Sequence, residues 1–184
     1  MSAIFYHYYP SPVGNLLLLA QDNALIYIEF EQEQRTTSVE KFQKANGTSG
    51  EIWQIFCKAT AILDRYFAGE KIDFRTLDFL KPQGTPFQQA VWQKLREIPY
   101  GEITSYGEIA QQLGKPKAMR AVGGAVGRNP ISILIPCHRV LGKSQTLTGF
   151  GGGLPAKRYL LQLEKIPYQD KGIEFVNPKI KKWD

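Results

Sequence analysis

The chain is poor in the residues that build disulfide frameworks and metal centres. Its 184 residues include only two cysteines and two histidines. Cys57 and Cys137 lie far apart and form neither a disulfide framework nor a CxxC zinc motif. His7 and His138 are too few for a histidine-rich metal site. The sequence therefore predicts a protein without a bound metal or cofactor.

Long hydrophobic runs are also absent. No apolar stretch approaches the length of a membrane span, although a hydrophobic content of 43% suffices for a core. The first residues lack the basic region and long apolar stretch of a secretory signal. Free thiols fit a reducing compartment. We expect a cytoplasmic protein that has no membrane association and acts as a monomer.

Negative charge is scarce in the second part of the chain. Residues 1–80 hold 7 Lys and Arg against 10 Asp and Glu, a net charge of −3, whereas residues 81–184 hold 16 against 7, a net charge of +9. A basic excess of this size favours attraction to a polyanion such as DNA. The alternative is a basic surface that only keeps the protein in solution.

The first 80 residues predict a small sheet followed by a helix. Turn residues separate three strand-like segments, and the polar residues 33–50 predict a weak helix and a loop. An apolar stripe predicts a helix from Glu51 to Ala68, with Cys57 off its centre. Residues 69–84 read as a linker on the surface. The three strands are predicted from Ile4 to Tyr9, from Leu16 to Leu19 and from Leu25 to Phe30.

The remainder of the chain predicts a mainly helical domain. Thr85 and Gln88 form a capping box at a helix start, and Ser105 with Glu108 forms a second one. Two short helices around Gly114, the second over residues 117–126, predict a helix-turn-helix. A buried extended segment over residues 131–135 and a helix over residues 155–164 follow. We predict domains at residues 1–80 and 81–168 and a tail at residues 169–184.

The most informative motif places a thiol beside an imidazole and a guanidinium. It is the run Pro136-Cys137-His138-Arg139, which follows an apolar segment. The thiolate is the nucleophilic form of cysteine, and a neighbouring base or positive charge favours it. The competing interpretation is a structural cysteine at the end of a buried strand.

The motifs from Thr85 to Glu164 resemble those of the O6-alkylguanine-DNA alkyltransferases. The resemblance rests on an ordered series rather than on the cysteine alone. It implies an α/β protein with a small ribonuclease-H-like N-terminal domain and a mainly helical C-terminal domain that binds DNA. The series is Tyr100-Gly101-Glu102, Ser105-Tyr106, Arg120-Ala121-Val122-Gly123-Gly124-Ala125, Asn129-Pro130 and Ile135-Pro136-Cys137-His138-Arg139-Val140.

The resemblance also implies the chemistry. Cys137 would take one alkyl group from O6-alkylguanine, and a possible further substrate is O4-alkylthymine. His138 would act as the base, either because the chain turns after Pro136 or because a water molecule bridges the two groups, and the resemblance favours the water-mediated relay. Glu164 would orient His138. Asn129 would hold the loop near the thiol, and Tyr106 would donate a proton and press on a rotated phosphate. The protein would be an enzyme that is consumed in a single turnover.

Further residues are implied in binding double-stranded DNA in its minor groove. Arg120 would fill the gap left by a flipped nucleotide, because extrusion of a base costs free energy. Gly123 and Gly124 would allow close approach to the groove. The implied phosphate contacts are Lys115, Lys117 and Arg128.

The glycine run after the cysteine motif is implied to form the substrate pocket, at Phe150, Gly151 and Gly152. Family members that carry tyrosine and serine in place of Phe150 and Gly151 differ here, so this pocket is expected to be roomier. Three other functions stay open on the residues: a lesion-binding protein without transfer, which would carry tryptophan in place of Cys137, a sequence-specific regulator, and a thiol hydrolase with turnover.

Overall fold

A computed structural model describes residues 2–32 and 37–170. Contacts between residues divide the chain into two compact units. The first unit holds the described residues up to Ile72, with Thr76–Gln83 and Pro130–Ser132. The second holds Asp73–Arg75, Gly84–Asn129 and the described residues from Ile133 onward. Within these described ranges no helix is long and apolar enough to cross a membrane.

A four-stranded sheet forms the centre of the first unit. Its strands stand in the order β3-β2-β1-β4, with β1–β2 and β2–β3 antiparallel and β1–β4 parallel. The three predicted strands are confirmed. The weak helix predicted before the loop at residues 46–50 is wrong over residues 37–45, where the chain instead adds a short edge strand. Residues 33–36 lie outside the described ranges. The strands are β1 Ile4–Ser11, β2 Gly14–Gln21, β3 Ala24–Phe30 and β4 Gln43–Lys44.

One long helix, α1 (Glu51–Phe67), packs against β1, β2 and β3 and confirms the predicted apolar stripe. Its buried side chains recur every three or four residues, which is the spacing of one helical face. Cys57 is exposed, as its position beside the stripe predicts. The buried residues of the helix are Ile52, Ile55, Phe56, Ala59, Leu63 and Tyr66.

The surface linker predicted over residues 69–84 is wrong. Five apolar side chains of this segment are buried, and its backbone pairs with β3. The Leu25 amide donates to the carbonyl of Phe79 at 2.8 Å, and the Lys81 amide donates to the carbonyl of Leu25 at 2.9 Å. The apolar residues at close spacing account for this burial, and they are Ile72, Phe74, Leu77, Phe79 and Leu80.

Four α-helices lie in the second unit. They are α2 (Pro86–Arg96), α3 (Tyr106–Gln112), α4 (Met119–Gly127) and α5 (Leu154–Leu163), and α4 packs against both α2 and α3. A two-stranded parallel ladder joins β5 (Thr104–Ser105) to β6 (Val140–Leu141).

The predicted start of α2 is confirmed, and the predictions for the starts of α3 and α4 need correction. The capping box of Thr85 and Gln88 is complete. At α3 only half of the box forms, because Ser105 accepts from the Glu108 amide while the Glu108 carboxylate accepts from the Thr104 hydroxyl. Helix α4 begins at Met119, two residues later than predicted.

The segment before the cysteine motif is buried but is not extended. After one bridge residue at Ile131 the chain turns, and Ile133 adopts a φ of 74°. A β-branched residue rarely occupies this left-handed region, because its side chain crowds the backbone. The side chains of Ile133, Leu134 and Ile135 are buried in this turn. Burial alone therefore misled the prediction of an extended segment.

Candidate active site

Cys137 and His138 lie in a tight turn rather than in a strand. A single 3-10 turn spans Cys137–Arg139 directly after Pro136. The Arg139 amide donates to the carbonyl of Pro136 at 3.0 Å and closes this turn. Successive side chains of a strand would point to opposite faces, whereas a turn relaxes that constraint. The turn after Pro136 that the sequence allows is therefore present, and the route of the proton from the thiol to His138 stays a prediction.

A buried carboxylate joins His138 to Arg139. The Nε2 atom of His138 lies 2.5 Å from Glu164 Oε2, and the Nε atom of Arg139 donates to Glu164 Oε1 at 2.8 Å. The backbone amide of Gly101 donates to the same Oε1 atom at 3.0 Å. Glu164 is the C-cap of α5. It lies there because its carboxylate is satisfied by three partners distant in sequence.

The charges of this cluster make Glu164 an anion beside a neutral histidine. Burial would raise the pKa of Glu164, but the hydrogen bonds from His138 and Arg139 and the charge of Arg139 outweigh it and hold that pKa well below its usual range. Burial lowers the pKa of His138, and this effect outweighs the attraction of Glu164. A neutral imidazole held by a carboxylate is suited to accept a proton.

Arg139 is itself enclosed within the second unit. Its guanidinium lies 5.2 Å from the ring centroid of Phe74 and 5.7 Å from that of Tyr100. One of its nitrogens donates to the carbonyl of Ile98 at 2.7 Å. An arginine cation is retained at every ordinary pH. It therefore supplies the permanent charge that keeps Glu164 ionised.

The thiol of Cys137 is buried and, at rest, protonated. Burial raises the pKa of Cys137, while a hydrogen bond from Asn129 and the charge of Lys157 act in the opposite direction. The side-chain amide of Asn129 also donates to the carbonyl of Ile135 at 2.8 Å, which ties down the turn before the cysteine. A thiol in this state needs a base before it can act as a nucleophile.

Lys157 is a member of the site that sequence reasoning missed. It lies on α5 and is 1% exposed. Its Nζ atom donates to the carbonyl of Val140 at 2.9 Å and to Thr148 Oγ1 at 3.0 Å. Burial lowers the pKa of Lys157 to about 8. The signal was present in the sequence, since Lys157 stands seven residues before Glu164 and therefore on the same face of a helix.

Tyr106 is the first residue of α3 and faces the same group of side chains. Its hydroxyl lies 2.8 Å from Thr148 Oγ1. Burial raises the pKa of Tyr106, so the phenol keeps its proton at neutral pH. Thr148 is a second residue that the sequence analysis did not single out, because a lone threonine in a loop carries no motif.

The predicted DNA-contacting side chains lie on exposed parts of the second unit. Arg120, on the first turn of α4, and Arg128, at its end, are exposed. Lys117 is exposed as well, and the exposed Lys115 places its Nζ atom 5.3 Å from the ring centroid of Phe87. These cations are therefore accessible to a polyanion.

Neighbouring side chains leave room for a Cβ atom at Gly123 and at Gly124 of α4. A Cβ atom added at Gly123 would lie 3.9 Å from the ring of Tyr106, and one added at Gly124 would lie 3.6 Å from the guanidinium of Arg128. Both distances are ordinary van der Waals contacts, so neither glycine is needed for packing within the described residues.

The predicted pocket residues differ among themselves in burial. Phe150 is buried, and its ring centroid lies 6.0 Å from Lys157 Nζ. Gly151 is exposed, and an added Cβ atom there would meet no heavy atom within 4 Å. Gly152 is half-buried.

Two family models match the chain in succession. The ribonuclease-like domain of 6-O-methylguanine DNA methyltransferase matches residues 4–80, and the DNA-binding domain of the same family matches residues 86–166. The two matches cover most of the chain.

Relatives and solved structures agree with these matches. A Haemophilus influenzae protein named methylated-DNA–protein-cysteine methyltransferase is 56% identical over 97% of this chain and 96% of its own. A Methanosarcina acetivorans protein of the same name is 44% identical over 88% of this chain and 98% of its own. The crystal structure of Mycobacterium tuberculosis O6-methylguanine methyltransferase has a TM-score of 0.77 at 44% identity, covering 88% of this chain and 93% of that one. A structure of Mycobacterium tuberculosis OGT in complex with DNA has a TM-score of 0.75 over the same shares. The mixed α/β fold is that of these solved structures, and the chain belongs to the 6-O-methylguanine DNA methyltransferase family.

Proposed function

We propose that this protein repairs DNA by moving the alkyl group of O6-alkylguanine onto the sulfur of Cys137. The observation that carries the proposal is the buried cluster of His138, Arg139 and Glu164 next to a buried thiol in one tight turn. A base held by a carboxylate beside a thiol is the arrangement that activates a cysteine nucleophile. Family membership and the names of the relatives point to the same reaction.

The reaction balances with residues of the site. His138 takes the thiol proton, directly or through a water molecule, and the sulfur of Cys137 attacks the alkyl carbon. The carbon–O6 bond breaks, its electron pair moves into the guanine, and Tyr106 gives a proton to a ring nitrogen. The product is a thioether. Cys57, on α1, is exposed and belongs to the other unit, and within the described residues no second thiol shares the site. The alkyl group therefore stays on Cys137, and each molecule acts once.

DNA binding follows from the exposed cations. We propose that a monomer binds double-stranded DNA, with α3 and α4 acting as a helix-turn-helix in the minor groove. Arg120 would occupy the gap left by the flipped nucleotide. Gly123 and Gly124 would let the groove approach, which agrees with the absence of a packing reason for them. Lys115, Lys117 and Arg128 would contact phosphates.

The remaining proposals concern the substrate and the compartment. Phe150, Gly151 and Gly152 would line the pocket, and the open space at Gly151 would admit alkyl groups larger than methyl. The O4 position of alkylated thymine is a second possible target. We place the protein in the cytoplasm, where Cys137 would remain reduced.

Intact-mass measurement tests the function. The protein is mixed with duplex DNA containing one O6-methylguanine and then digested for peptide mapping. We expect a gain of one CH2 group per molecule, located on Cys137 and not on Cys57, and no gain in Cys137→Ser. Binding without a mass gain would overturn the transfer reaction and favour a lesion-binding protein. Release of methylated product over many cycles would favour a hydrolase instead.

A further inference from the structure

A chain of hydrogen bonds links Lys157 to Tyr106 through Thr148. The Nζ atom of Lys157 donates to Thr148 Oγ1 at 3.0 Å, and Thr148 Oγ1 lies 2.8 Å from the hydroxyl of Tyr106. A hydroxyl has one proton to give and two lone pairs that accept. Thr148 can therefore accept from Lys157 and donate to Tyr106. In that orientation the Tyr106 proton is left for a partner outside this chain of bonds.

Lys157 needs an explanation that stability does not provide. An ammonium group that is 1% exposed has lost nearly all of its hydration. Within residues 2–32 and 37–170, no carboxylate forms an ion pair with it. Burial lowers the pKa of Lys157 to about 8, so this group gives up its proton more readily than an exposed lysine. A buried cation of this kind is typical of a group with a chemical task.

We propose that Lys157 supplies, through the hydroxyl of Thr148, the proton that replaces the one Tyr106 gives to the guanine. The proposal rests on the proposed function. As the carbon–O6 bond breaks, Tyr106 protonates a ring nitrogen, Thr148 passes its hydroxyl proton to the phenolate, and Lys157 passes an ammonium proton to Thr148. Lys157 ends neutral, and the thiol proton resides on His138. Lys157 and Thr148 are therefore positioning residues that act through Tyr106.

This arrangement prevents a phenolate from forming in a buried site. Burial raises the pKa of Tyr106, which means that a lone phenolate there is disfavoured. A proton that arrives as the first one leaves avoids that charge. The hydrogen bond from Lys157 Nζ to the carbonyl of Val140, at 2.9 Å, holds the ammonium group within reach of Thr148.

The test removes the hydroxyl of Thr148, which links Lys157 to Tyr106. Single-turnover rates of methyl transfer from saturating DNA are measured between pH 6 and pH 10 for the wild type, Thr148→Val and Thr148→Ser. In the wild type we expect the rate to fall above about pH 8 as Lys157 loses its proton. In Thr148→Val we expect a rate about tenfold lower near pH 7 and no falling limb, since the proton supply is cut. Thr148→Ser keeps the hydroxyl and should restore both the rate and the falling limb.

A second measurement separates this role from an effect on the thiol. The positive charge of Lys157 also acts on Cys137, so the rate of alkylation of Cys137 by iodoacetamide is measured without DNA over the same pH range. We expect Thr148→Val to react like the wild type. A parallel loss in both assays would overturn the relay and assign the pair to thiol activation. An unchanged pH profile in Thr148→Val would also overturn it while leaving the transfer function intact. Failure of the wild type to take up methyl would instead refute the proposed function.

Discussion

The two units of this protein differ most in what their cores contain. The first buries apolar side chains from three strands and α1, such as Leu18, Phe56 and Leu63. In the second, four polar or charged side chains are buried among the apolar ones, and within the described residues such side chains occur nowhere else. They are His138, Arg139, Lys157 and Glu164.

This difference indicates that the core of the first unit serves stability, whereas the core of the second unit also serves chemistry. Burying an ion costs several kcal/mol, and partners offset this cost only when the geometry is good. Glu164 has three such partners, whereas within the described residues the recorded contacts of the Lys157 ammonium group are with two neutral oxygens and an aromatic ring. A core selected for stability alone would hold apolar side chains at these positions.

The largest effect is expected when the anion of the second unit is removed. Glu164→Gln keeps the size of the side chain but leaves Arg139 as a buried cation without a counter-charge. Loss of one partner from a buried pair costs about 3–5 kcal/mol in the free energy of unfolding. Urea unfolding gives the loss, and amide hydrogen exchange in α5 locates it. A loss below about 1 kcal/mol would mean that Arg139 finds another partner, in conflict with the described cluster.

A cavity in the first unit should weaken folding without touching the chemistry. Leu63 is fully buried on α1, so Leu63→Ala should lower the free energy of unfolding by about 3 kcal/mol. The single-turnover rate of methyl transfer per folded molecule should stay unchanged at a temperature where the variant is folded. A slower transfer in the folded variant would break the division between the units. Leu113→Ala serves as the control in the second unit. Leu113 is half-buried at the end of α3, so its truncation should lower the free energy of unfolding by less than Leu63→Ala does.

The buried lysine predicts a pH dependence of stability in the alkaline range. Its pKa is about 8 in the folded protein and near 10.5 without burial. Between these values the unfolded chain binds more protons, so stability rises as the pH rises from 8 to 10.5. The total rise from this group is about 3 kcal/mol, since each pKa unit corresponds to about 1.4 kcal/mol.

Comparison with Lys157→Met isolates that contribution. The variant has no titrating group at this position, so the difference in unfolding free energy between wild type and variant should change over pH 8–10.5 and stay constant over pH 6–7.5. A constant difference across the whole range would show that folding does not lower the pKa of Lys157. A difference that also changes over pH 6–7.5 would show that Lys157 is already neutral in the folded protein near neutral pH.

Much of the framework could be predicted from local sequence. The capping box of Thr85 and Gln88 is written in four consecutive residues, and alternating or continuous apolar runs mark the strands β1 to β3. The turn at Cys137–Arg139 could not be predicted in this way, because Ile133 and its neighbours have β-branched or aliphatic side chains that favour strands. Tertiary burial of these side chains overrides that preference.

The residues of the site also divide into those that local sequence identifies and those that only tertiary contacts reveal. Cys137 and His138 stand in one motif, and Glu164 could be placed through the family resemblance. Thr148 could not be found, since its importance arises from hydrogen bonds to residues 42 positions earlier and 9 positions later. Lys157 was detectable by its helical spacing from Glu164, but a lysine is expected on the exposed face of a helix.

The smallest expected effect provides the sharpest control for the comparison. Arg65 Nε and Glu70 Oε2 lie 2.8 Å apart in the first unit, and their side chains are 60% and 51% exposed. Arg139 Nε and Glu164 Oε1 also lie 2.8 Å apart, with side chains 1% and 0% exposed. The distance is the same, so only the surroundings differ. Exposed pairs contribute about 0–1 kcal/mol because water and salt screen them, and Glu70→Gln should change the free energy of unfolding by about 0.5 kcal/mol or less.

Urea unfolding of Glu70→Gln at low and at high salt measures this effect. The small loss should vanish at high salt, whereas the loss in Glu164→Gln should persist, because buried charges are screened far less. Equal losses in the two variants would show that burial does not set the strength of these ion pairs. In that case charged side chains would cost no more free energy in the core of the second unit than on the surface. Their burial would then not indicate that they are retained for chemistry.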